Sequence, residues 1–276
     1  MSSYKEWRSE WLLQNQGALF ILNSTILRDY QRLIVVGDLH GDFPSFKRVE
    51  TMFHPTSDLL LFLGDYGDRG PKSIHIITGV NNLLDHYPEQ VIALLGNHED
   101  YSENGTPNFS PCTIINEVGS HQGIWEQYFR EVFSPFLHRL YLSVLIPNQI
   151  LFVHGGVSSH ITGEKNLVQP SRKVVEDILW SDPGDFDGEC QNSRGAGVEF
   201  GRDITQLVCQ RLSVSMIIRA HDPRKVFDGP CIQHNEQVIT VNSSSVYGGR
   251  PFVFVLPTKH VSRACANIGA YTQYLD

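Results

Sequence analysis

The strongest constraint on the fold of this chain is a short apolar run that recurs five times, each time closed by glycine or polar residues. These runs are rich in Val, Ile and Leu, which is typical of buried strands. A helical pattern over 73–86 separates two of them, and strands alternating with helices predict parallel βαβ units. The five runs cover 33–36, 59–63, 91–95, 150–153 and 216–218.

Weaker patterns complete the outline of the chain. Further strands are predicted at 140–146, 238–241 and 252–256, with loops rich in glycine and serine at 183–201 and 243–249. We interpret the 276 residues as one catalytic domain, residues 1–276. Within it, 1–30 is a helical segment that packs on the core through Trp7, Trp11, Leu12, Leu19 and Leu22, and 258–276 is a polar tail.

Composition excludes several classes of protein. The net charge is −8 and no run of Lys or Arg is present, so nucleic acid is not an expected partner. No apolar stretch approaches the ~20 residues needed to span a bilayer, and the N-terminus lacks a signal-peptide core, which together predict a cytoplasmic protein without a membrane partner. Five scattered cysteines without a CxxC pair argue against a disulfide framework or a cysteine zinc site.

Residues of the kinds that bind metal ions follow the apolar runs. In open α/β sheets, ligands bind at the carboxyl ends of the strands. Any one of these residues is explained by a polar turn or a structural histidine, but their coincidence favours a metal site. A single carboxylate can bridge two cations, and oxygen and nitrogen ligands suit manganese, iron or zinc. The residues are Asp38, His40, Asp65, Asn97, His154 and His221.

The motifs GDLHG (37–41), GDYGDRG (64–70), GNHE (96–99) and HGG (154–156), in this order, resemble those of the PPP family of serine/threonine protein phosphatases. That family lies within the calcineurin-like metallophosphoesterases. Three later segments extend the resemblance over 33–257: LWSDP at 179–183, the arginine and glycine loop at 194–201, and RAH at 219–221. The implied fold class is α/β, with a central β-sandwich of mixed sheets flanked by helices.

The resemblance also implies a role for each matching residue. His98 would be the general acid, oriented by Asp68. The phosphate would be bound by Arg69, Arg194 and Asn97, with Tyr247 lining the site. The first metal ion would be held by Asp38, His40 and Asp65, and the second by Asp65, Asn97, His154 and His221.

The activity implied is hydrolysis of phosphoserine and phosphothreonine in phosphoprotein substrates, by a hydroxide that bridges two divalent metal ions. Manganese is expected to support activity in vitro, and iron and zinc are compatible with the same ligands. One alternative is a nucleotide phosphoesterase such as a diadenosine tetraphosphatase, although those enzymes usually carry GNHD where this chain has GNHE. The other is an inactive binding scaffold, which is disfavoured because every expected ligand is present.

Three positions depart from the family's usual motifs. Gly67 stands where valine is usual, and Asp222 follows His221 where glutamine is common. The segment 243–248, which overhangs the site in relatives, has the sequence SSSVYG rather than SAPNYC. Because this loop overhangs the site in relatives, its different sequence bears on substrate preference and on sensitivity to the family's natural-product toxins.

Overall fold

The computed structural model describes residues 18–121, 123–261 and 267–276. Every helix in the described ranges is too short or too polar to span a bilayer. The helices are α1 (Ser24–Asp29), α2 (Phe43–Met52), α3 (Ser73–His86), α4 (Ile114–His121), α5 (Trp125–Tyr128), α6 (Ser134–Leu137), α7 (Lys165–Val168), α8 (Arg172–Trp180) and α9 (Arg202–Leu212). The strands are β1 (Leu19–Ile21), β2 (Arg32–Val36), β3 (Asp58–Phe62), β4 (Val91–Ala93), β5 (Ser143–Ile146), β6 (Ile150–Val153), β7 (Asp182–Pro183), β8 (Glu189–Gln191), β9 (Val198–Phe200), β10 (Met216–Arg219), β11 (Cys231–Gln233), β12 (Val238–Thr240), β13 (Phe252–Pro257) and β14 (Thr272–Tyr274).

Two mixed sheets form the centre of the molecule. The larger has the strand order β1-β5-β6-β10-β12-β11, and the other has the order β14-β13-β2-β3-β4. In the second sheet β2, β3 and β4 are parallel and are joined through α2 and α3, as the alternating pattern predicted. In the first sheet β6, β10 and β12 are parallel. A small third sheet of β7, β9 and β8 lies outside these two.

The core divides into two layers because neighbouring residues of a strand face opposite sides of its sheet. In β2, Leu33 and Val35 belong to a cluster that also contains Phe152 and Ile239 of the other sheet, so this cluster fills the space between the sheets. Ile34 and Val36 belong instead to the cluster that contains helix residues, including those of α3 and α8. A β-sandwich with helices on its outer faces results, as the resemblance implied.

The structure differs from the sequence predictions at three places. The segment 1–30 is only partly helical, since Leu19–Ile21 pairs with β5 as a strand; Trp7, Trp11 and Leu12 lie outside the described residues. The loop predicted at 183–201 contains β8 and β9. The polar tail at 258–276 contains β14, which pairs with β13, and its Leu275 is buried. Strand pairing decided each case. The partner of β1 is distant in sequence and leaves no local pattern, whereas β8 and β9 pair with each other inside a segment whose glycines and serines indicated a loop.

An ion pair joins the first residues of β2 and β3. Arg32 Nε donates to Asp58 Oδ1 at 2.8 Å and Nη2 donates to Oδ2 at 2.5 Å, while the His54 N–H donates to the same carboxylate at 2.9 Å. Burial alone would raise the pKa of Asp58, but the hydrogen bonds and charge of Arg32 and the His54 N–H outweigh it and hold this pKa below its usual value. The ionised carboxylate therefore stabilises the folded state.

Asp58→Asn is expected to lower the free energy of unfolding near pH 7 by about 1–3 kcal/mol, the usual effect of losing hydrogen bonds to a charged group. A carboxyl group with a depressed folded pKa stabilises above its ordinary pKa of ~3.9, and that stabilisation is lost as pH falls through the folded value. The difference between wild type and variant should therefore shrink near pH 3. Urea unfolding of metal-free protein at both pH values measures it.

The matched control is Asp85→Asn, which removes the carboxylate of an exposed pair with Arg139. Exposed pairs contribute little, so this variant should unfold almost as wild type does. An Asp58→Asn effect of equal size near pH 7 and pH 3 would contradict the assigned role of the ionised carboxylate.

Candidate active site

The polar residues predicted from the strand ends converge where the carboxyl ends of both sheets meet. Asp38 follows β2, Asp65 follows β3 and Asn97 follows β4. From the other sheet, His154 follows β6 and His221 follows β10. All five are buried, and His40 is buried beside them.

Several residues here have a left-handed backbone, which costs energy for any residue other than glycine. A Cβ atom at Gly96 would lie 2.1 Å from Asp65 Oδ1, so only glycine allows the GNHE turn to approach the Asp65 turn this closely. Such strain persists only where the surrounding structure fixes it. Within the site, the residues other than glycine that have a positive φ are His40, Asp65, Asp68, Arg69 and His221.

Two groups of potential ligand atoms share the carboxylate of Asp65. One contains His40, Asp65 and His98, and the other Asp38, Asp65 and His154, with the potential ligand atoms of each group within 4.8 Å of one another. Asp65 Oδ2 lies 3.4 Å from His40 Nε2, and Oδ1 lies 3.5 Å from His154 Nε2. The structure thus brings the predicted bridging carboxylate between two histidines.

The hydrogen bonds of the histidines fix which ring nitrogen is free. His40 Nδ1 lies 3.0 Å from Gly67 O and His154 Nδ1 lies 2.9 Å from Leu63 O. A carbonyl oxygen only accepts, so Nδ1 carries the proton and Nε2 carries a lone pair. Each lone pair then faces an oxygen of Asp65, which can only accept when the carboxylate is ionised, and a cation between them would turn this repulsion into attraction.

Two further atoms support the same interpretation. Asp38 Oδ2 and His221 Nε2 are buried and have no hydrogen-bond partner among the described residues. A buried polar atom without a partner is costly unless a ligand occupies the site. Asn97 Oδ1 lies 3.1 Å from His154 Nε2 and adds another oxygen to the second group. The donor set therefore fits divalent cations.

Burial dominates the electrostatics of the group. It raises the pKa of Asp38 to about 7 and raises that of Asp65 well above its usual value. It lowers the pKa of His40 and His154 well below the usual value and that of His221 to about 4. Neutral imidazoles are the form that binds metal, and a bound cation would restore the carboxylates to their charged form.

His98 and Asp68 form a pair beside these groups. His98 Nδ1 lies 2.8 Å from Asp68 Oδ2, which leaves Nε2 facing the site. Asp68 Oδ1 accepts the backbone N–H of Thr113 at 2.5 Å and that of Ile114 at 2.9 Å. Burial lowers the pKa of His98, while Asp68 acts in the opposite direction. This carboxylate therefore orients the imidazole and favours its charged form.

The two predicted phosphate-binding arginines line one cavity of about 700 Å³ together with His98 and Tyr247. Arg69 is exposed there. Arg194 is held by Asp182, whose Oδ2 accepts from its Nε at 2.7 Å. The structure thus brings together every residue predicted for the site.

Tyr247 lies at the edge of this cavity. Its ring meets that of His40 edge to face, with centroids 5.5 Å apart. Burial raises the pKa of Tyr247 to about 12, so its hydroxyl keeps its proton near neutral pH and can donate to a phosphate oxygen.

Sequence reasoning missed three residues that shape the site. Glu99 accepts the backbone N–H groups of Asp65 and Tyr66 at 2.8 and 3.1 Å, and so fixes the bridging residue. Asp182 accepts from Arg194 and Arg219 and lies 3.1 Å from His221 Nδ1. Glu99 lies within the GNHE motif and Asp182 within LWSDP, so membership in these motifs could have indicated both residues. The ring of Phe109 packs on His98 with centroids 4.5 Å apart, and no local pattern indicated it.

A comparison with protein families agrees with this geometry. The sequence profile of the calcineurin-like phosphoesterase family matches residues 31–225, which include all six candidate metal ligands. The chain belongs to the calcineurin-like phosphoesterase family. The resemblance inferred from the motifs and the predicted fold class are therefore confirmed.

Two curated members of the family come from Caenorhabditis elegans. Serine/threonine-protein phosphatase C23G10.1 is 33% identical over 77% of this chain and 47% of its own length. Serine/threonine-protein phosphatase PP1-delta is 30% identical over 84% of this chain and 76% of its own length. The chain therefore spans about half of the first relative and about three quarters of the second.

A solved structure shows the same fold. It is a protein serine/threonine phosphatase from Saccharomyces cerevisiae with similarity to human phosphatase PP5, and it superposes with a TM-score of 0.74. The match covers 92% of this chain and 81% of that chain at 24% identity.

Proposed function

We propose that this protein is a metal-dependent serine/threonine protein phosphatase that hydrolyses phosphoserine and phosphothreonine monoesters. The observation that carries the proposal is the Asp65 carboxylate shared between two ligand groups, beside the His98–Asp68 pair and below a cavity lined by two arginines. The curated relatives named above are serine/threonine-protein phosphatases, which supports the same substrate class.

The residues divide into two metal sites that share one ligand. We assign Asp38, His40 and Asp65 to the first cation, and Asp65, Asn97, His154 and His221 to the second. Asp38 also lies near His154, and we place it with His40 because its Oδ2, which has no hydrogen-bond partner among the described residues, lies 3.8 Å from His40 Nε2. When bound, two such cations lower the pKa of a coordinated water and neutralise the phosphate oxygens. Manganese is our choice for assays, and iron and zinc suit the same donors.

The arginines hold the substrate. Guanidinium is planar and permanently charged, so Arg69 and Arg194 can bind phosphate oxygens through paired hydrogen bonds. Asp182 fixes the direction of the Arg194 side chain through its Nε. Nη2 also donates to His221 O at 3.4 Å, so Nη1 and the second N–H of Nη2 are left for the phosphate. Tyr247 and Asn97 complete the set of groups around the phosphate.

His98 supplies the proton for the leaving group. A serine or threonine alkoxide leaves poorly unless it is protonated, and Nε2 of His98 faces the site while Nδ1 is bound by Asp68. Burial lowers the pKa of His98, but the charge of Asp68 and that of an incoming phosphate favour the imidazolium form. As the phosphorus–oxygen ester bond breaks, Nε2 donates its proton to the serine or threonine oxygen, which leaves as the hydroxyl and leaves His98 as neutral imidazole.

The purified protein, reconstituted with manganese, is expected to release inorganic phosphate from a phosphoserine peptide. Removal of the metal with a chelator should abolish this release. Diadenosine tetraphosphate in a parallel assay distinguishes the nucleotide hydrolase alternative, and p-nitrophenyl phosphate distinguishes an inactive scaffold. A larger kcat/KM for the phosphopeptide supports the proposal. A larger value for the dinucleotide, or no hydrolysis of any substrate, would overturn it.

A further inference from the structure

The carboxylate of Asp42 joins two segments that are about 200 residues apart. It is buried, and it follows Gly41 at the start of α2. Its Oδ1 accepts the Ser45 N–H at 3.2 Å and caps that helix. Its Oδ2 accepts three more hydrogen bonds: from Ser45 Oγ at 2.9 Å, from Ser245 N at 2.7 Å and from Ser245 Oγ at 2.7 Å.

Helix capping explains only half of these contacts. An aspartate before a helix ordinarily binds the backbone two or three positions later, and Ser45 provides that partner. The bonds from Ser245 are separate, because Ser245 lies in the 243–249 loop that contains Tyr247.

Ser245 is the last firm attachment of this loop before Tyr247. Earlier in the loop, Ser243 is fixed to the core, since its Oγ accepts the Gly37 N–H at 2.9 Å and donates to Phe252 O at 2.7 Å. Between Val246 and Gly249 the described hydrogen bonds are within the loop: Val246 N–H donates to Ser244 Oγ at 3.2 Å and Gly248 N–H donates to Ser245 O at 2.8 Å. The next hydrogen bond to another segment is at Arg250, whose N–H donates to Phe227 O at 3.0 Å. Tyr247 is nearer in sequence to Ser245 than to Arg250, so its position beside His40 depends on where Ser245 is held.

We propose that Asp42 is a positioning residue for substrate binding: by holding Ser245 it keeps Tyr247 at the edge of the phosphate cavity. This inference rests on the proposed function in so far as Tyr247 contacts the substrate phosphate. The attachment itself is independent of that function and is measurable without metal or substrate.

The chain offers a matched pair of variants. Ser245→Ala and Ser45→Ala each remove one hydroxyl that donates to the same oxygen of Asp42, at 2.7 and 2.9 Å. Only the first hydroxyl belongs to the Tyr247 loop. Asp42→Asn is the stronger variant, because an amide can still cap α2 through its oxygen but cannot accept all three bonds now made to Oδ2.

Hydrogen exchange on metal-free protein tests the attachment. In Ser245→Ala the amides of Ser245 and Gly248 should exchange about 3- to 10-fold faster than in wild type, the effect expected from one lost hydrogen bond. Ser45→Ala should leave these rates within about twofold of wild type. Equal rates in wild type, Ser245→Ala and Asp42→Asn would overturn the proposal, as would equal acceleration by both serine variants.

Kinetics on the manganese-loaded protein test the consequence for binding. Ser245→Ala should raise KM for a phosphoserine peptide about 3- to 10-fold and change kcat by less than about twofold. The reason is that the lost hydrogen bond changes the position of Tyr247, which contributes to substrate binding and not to the chemical step. In a Tyr247→Phe background the same substitution should have almost no further effect on KM, because the hydroxyl that it positions is already absent. Fully additive effects of Ser245→Ala and Tyr247→Phe on KM would show a merely structural role and would overturn the proposal.

If wild type releases no phosphate, the proposed function fails, while the exchange rates still decide whether Asp42 holds the loop.

Discussion

His98→Ala is expected to lower kcat for a phosphoserine peptide by about 10²- to 10⁴-fold, the usual contribution of a positioned general acid. The loss should be much smaller for p-nitrophenyl phosphate, because p-nitrophenolate leaves without needing a proton. The dependence on leaving group separates proton donation from a general disturbance of the site. Measuring kcat of wild type and His98→Ala on both substrates gives the two losses in kcat, and their ratio tests the dependence on leaving group.

Metal content is the control for this variant. His98 lies within 4.8 Å of the potential ligand atoms of His40 and Asp65, so the geometry alone would also allow it to bind a cation. We assign it the acid role because its Nδ1 is bound by the Asp68 carboxylate, which favours the imidazolium form that donates a proton and cannot bind a cation, whereas His40 and His154 are bound by neutral carbonyl oxygens. His98→Ala should therefore keep the same number of metal ions as wild type. Loss of one ion, or equal rate losses on both substrates, would contradict the assignment.

Asp65→Asn is expected to deplete both metal sites at once. Asparagine tolerates the left-handed backbone at this position, and its oxygen can still accept the His98 N–H that now binds Oδ1 at 2.9 Å, so the fold should survive. What is lost is one oxygen ligand and the negative charge between His40 and His154. Since metal ions contribute several kcal/mol to such reactions, activity should fall by about 10³-fold or more.

Elemental analysis after dialysis measures the predicted depletion. The matched variant is Asp85→Asn, which makes the same chemical change at an exposed surface pair and should keep full metal content. The circular dichroism spectrum of Asp65→Asn should match that of wild type, which checks that the fold is retained. Depletion of only one metal ion by Asp65→Asn would show that this carboxylate serves a single site.

The fold and the site could be predicted from the sequence where they depend on a pattern within one short segment. Buried parallel strands appear as short apolar runs, and the residue that follows each run lies at the ligand-binding edge of its sheet. That is why Asp38, Asp65, Asn97, His154 and His221 could be nominated before their convergence was seen. The helix over 73–86 was recovered at both ends because its apolar spacing is undisturbed.

Contacts between separate segments could not be predicted from the sequence. The edge strands β1 and β14 form because β5 and β13 offer them partners; both are short, and the sequence of β14 is mostly polar. The bonds between Asp42 and Ser245 join positions 203 apart, and the ring of Phe109 reaches His98 from an irregular loop. Such pairs are determined by the packing of the whole domain, and neither segment contains a sequence pattern that identifies the other.

The most direct test of this account is a crystal structure of the manganese-loaded protein with anomalous diffraction data. We predict two anomalous peaks on either side of Asp65, each within about 2.0–2.4 Å of its ligand atoms, as is usual for first-row metals bound by nitrogen and oxygen. One peak should lie against Asp38 and His40, and the other against Asn97, His154 and His221. A single peak, or none at saturating manganese, would contradict the central claim that one carboxylate holds a pair of cations.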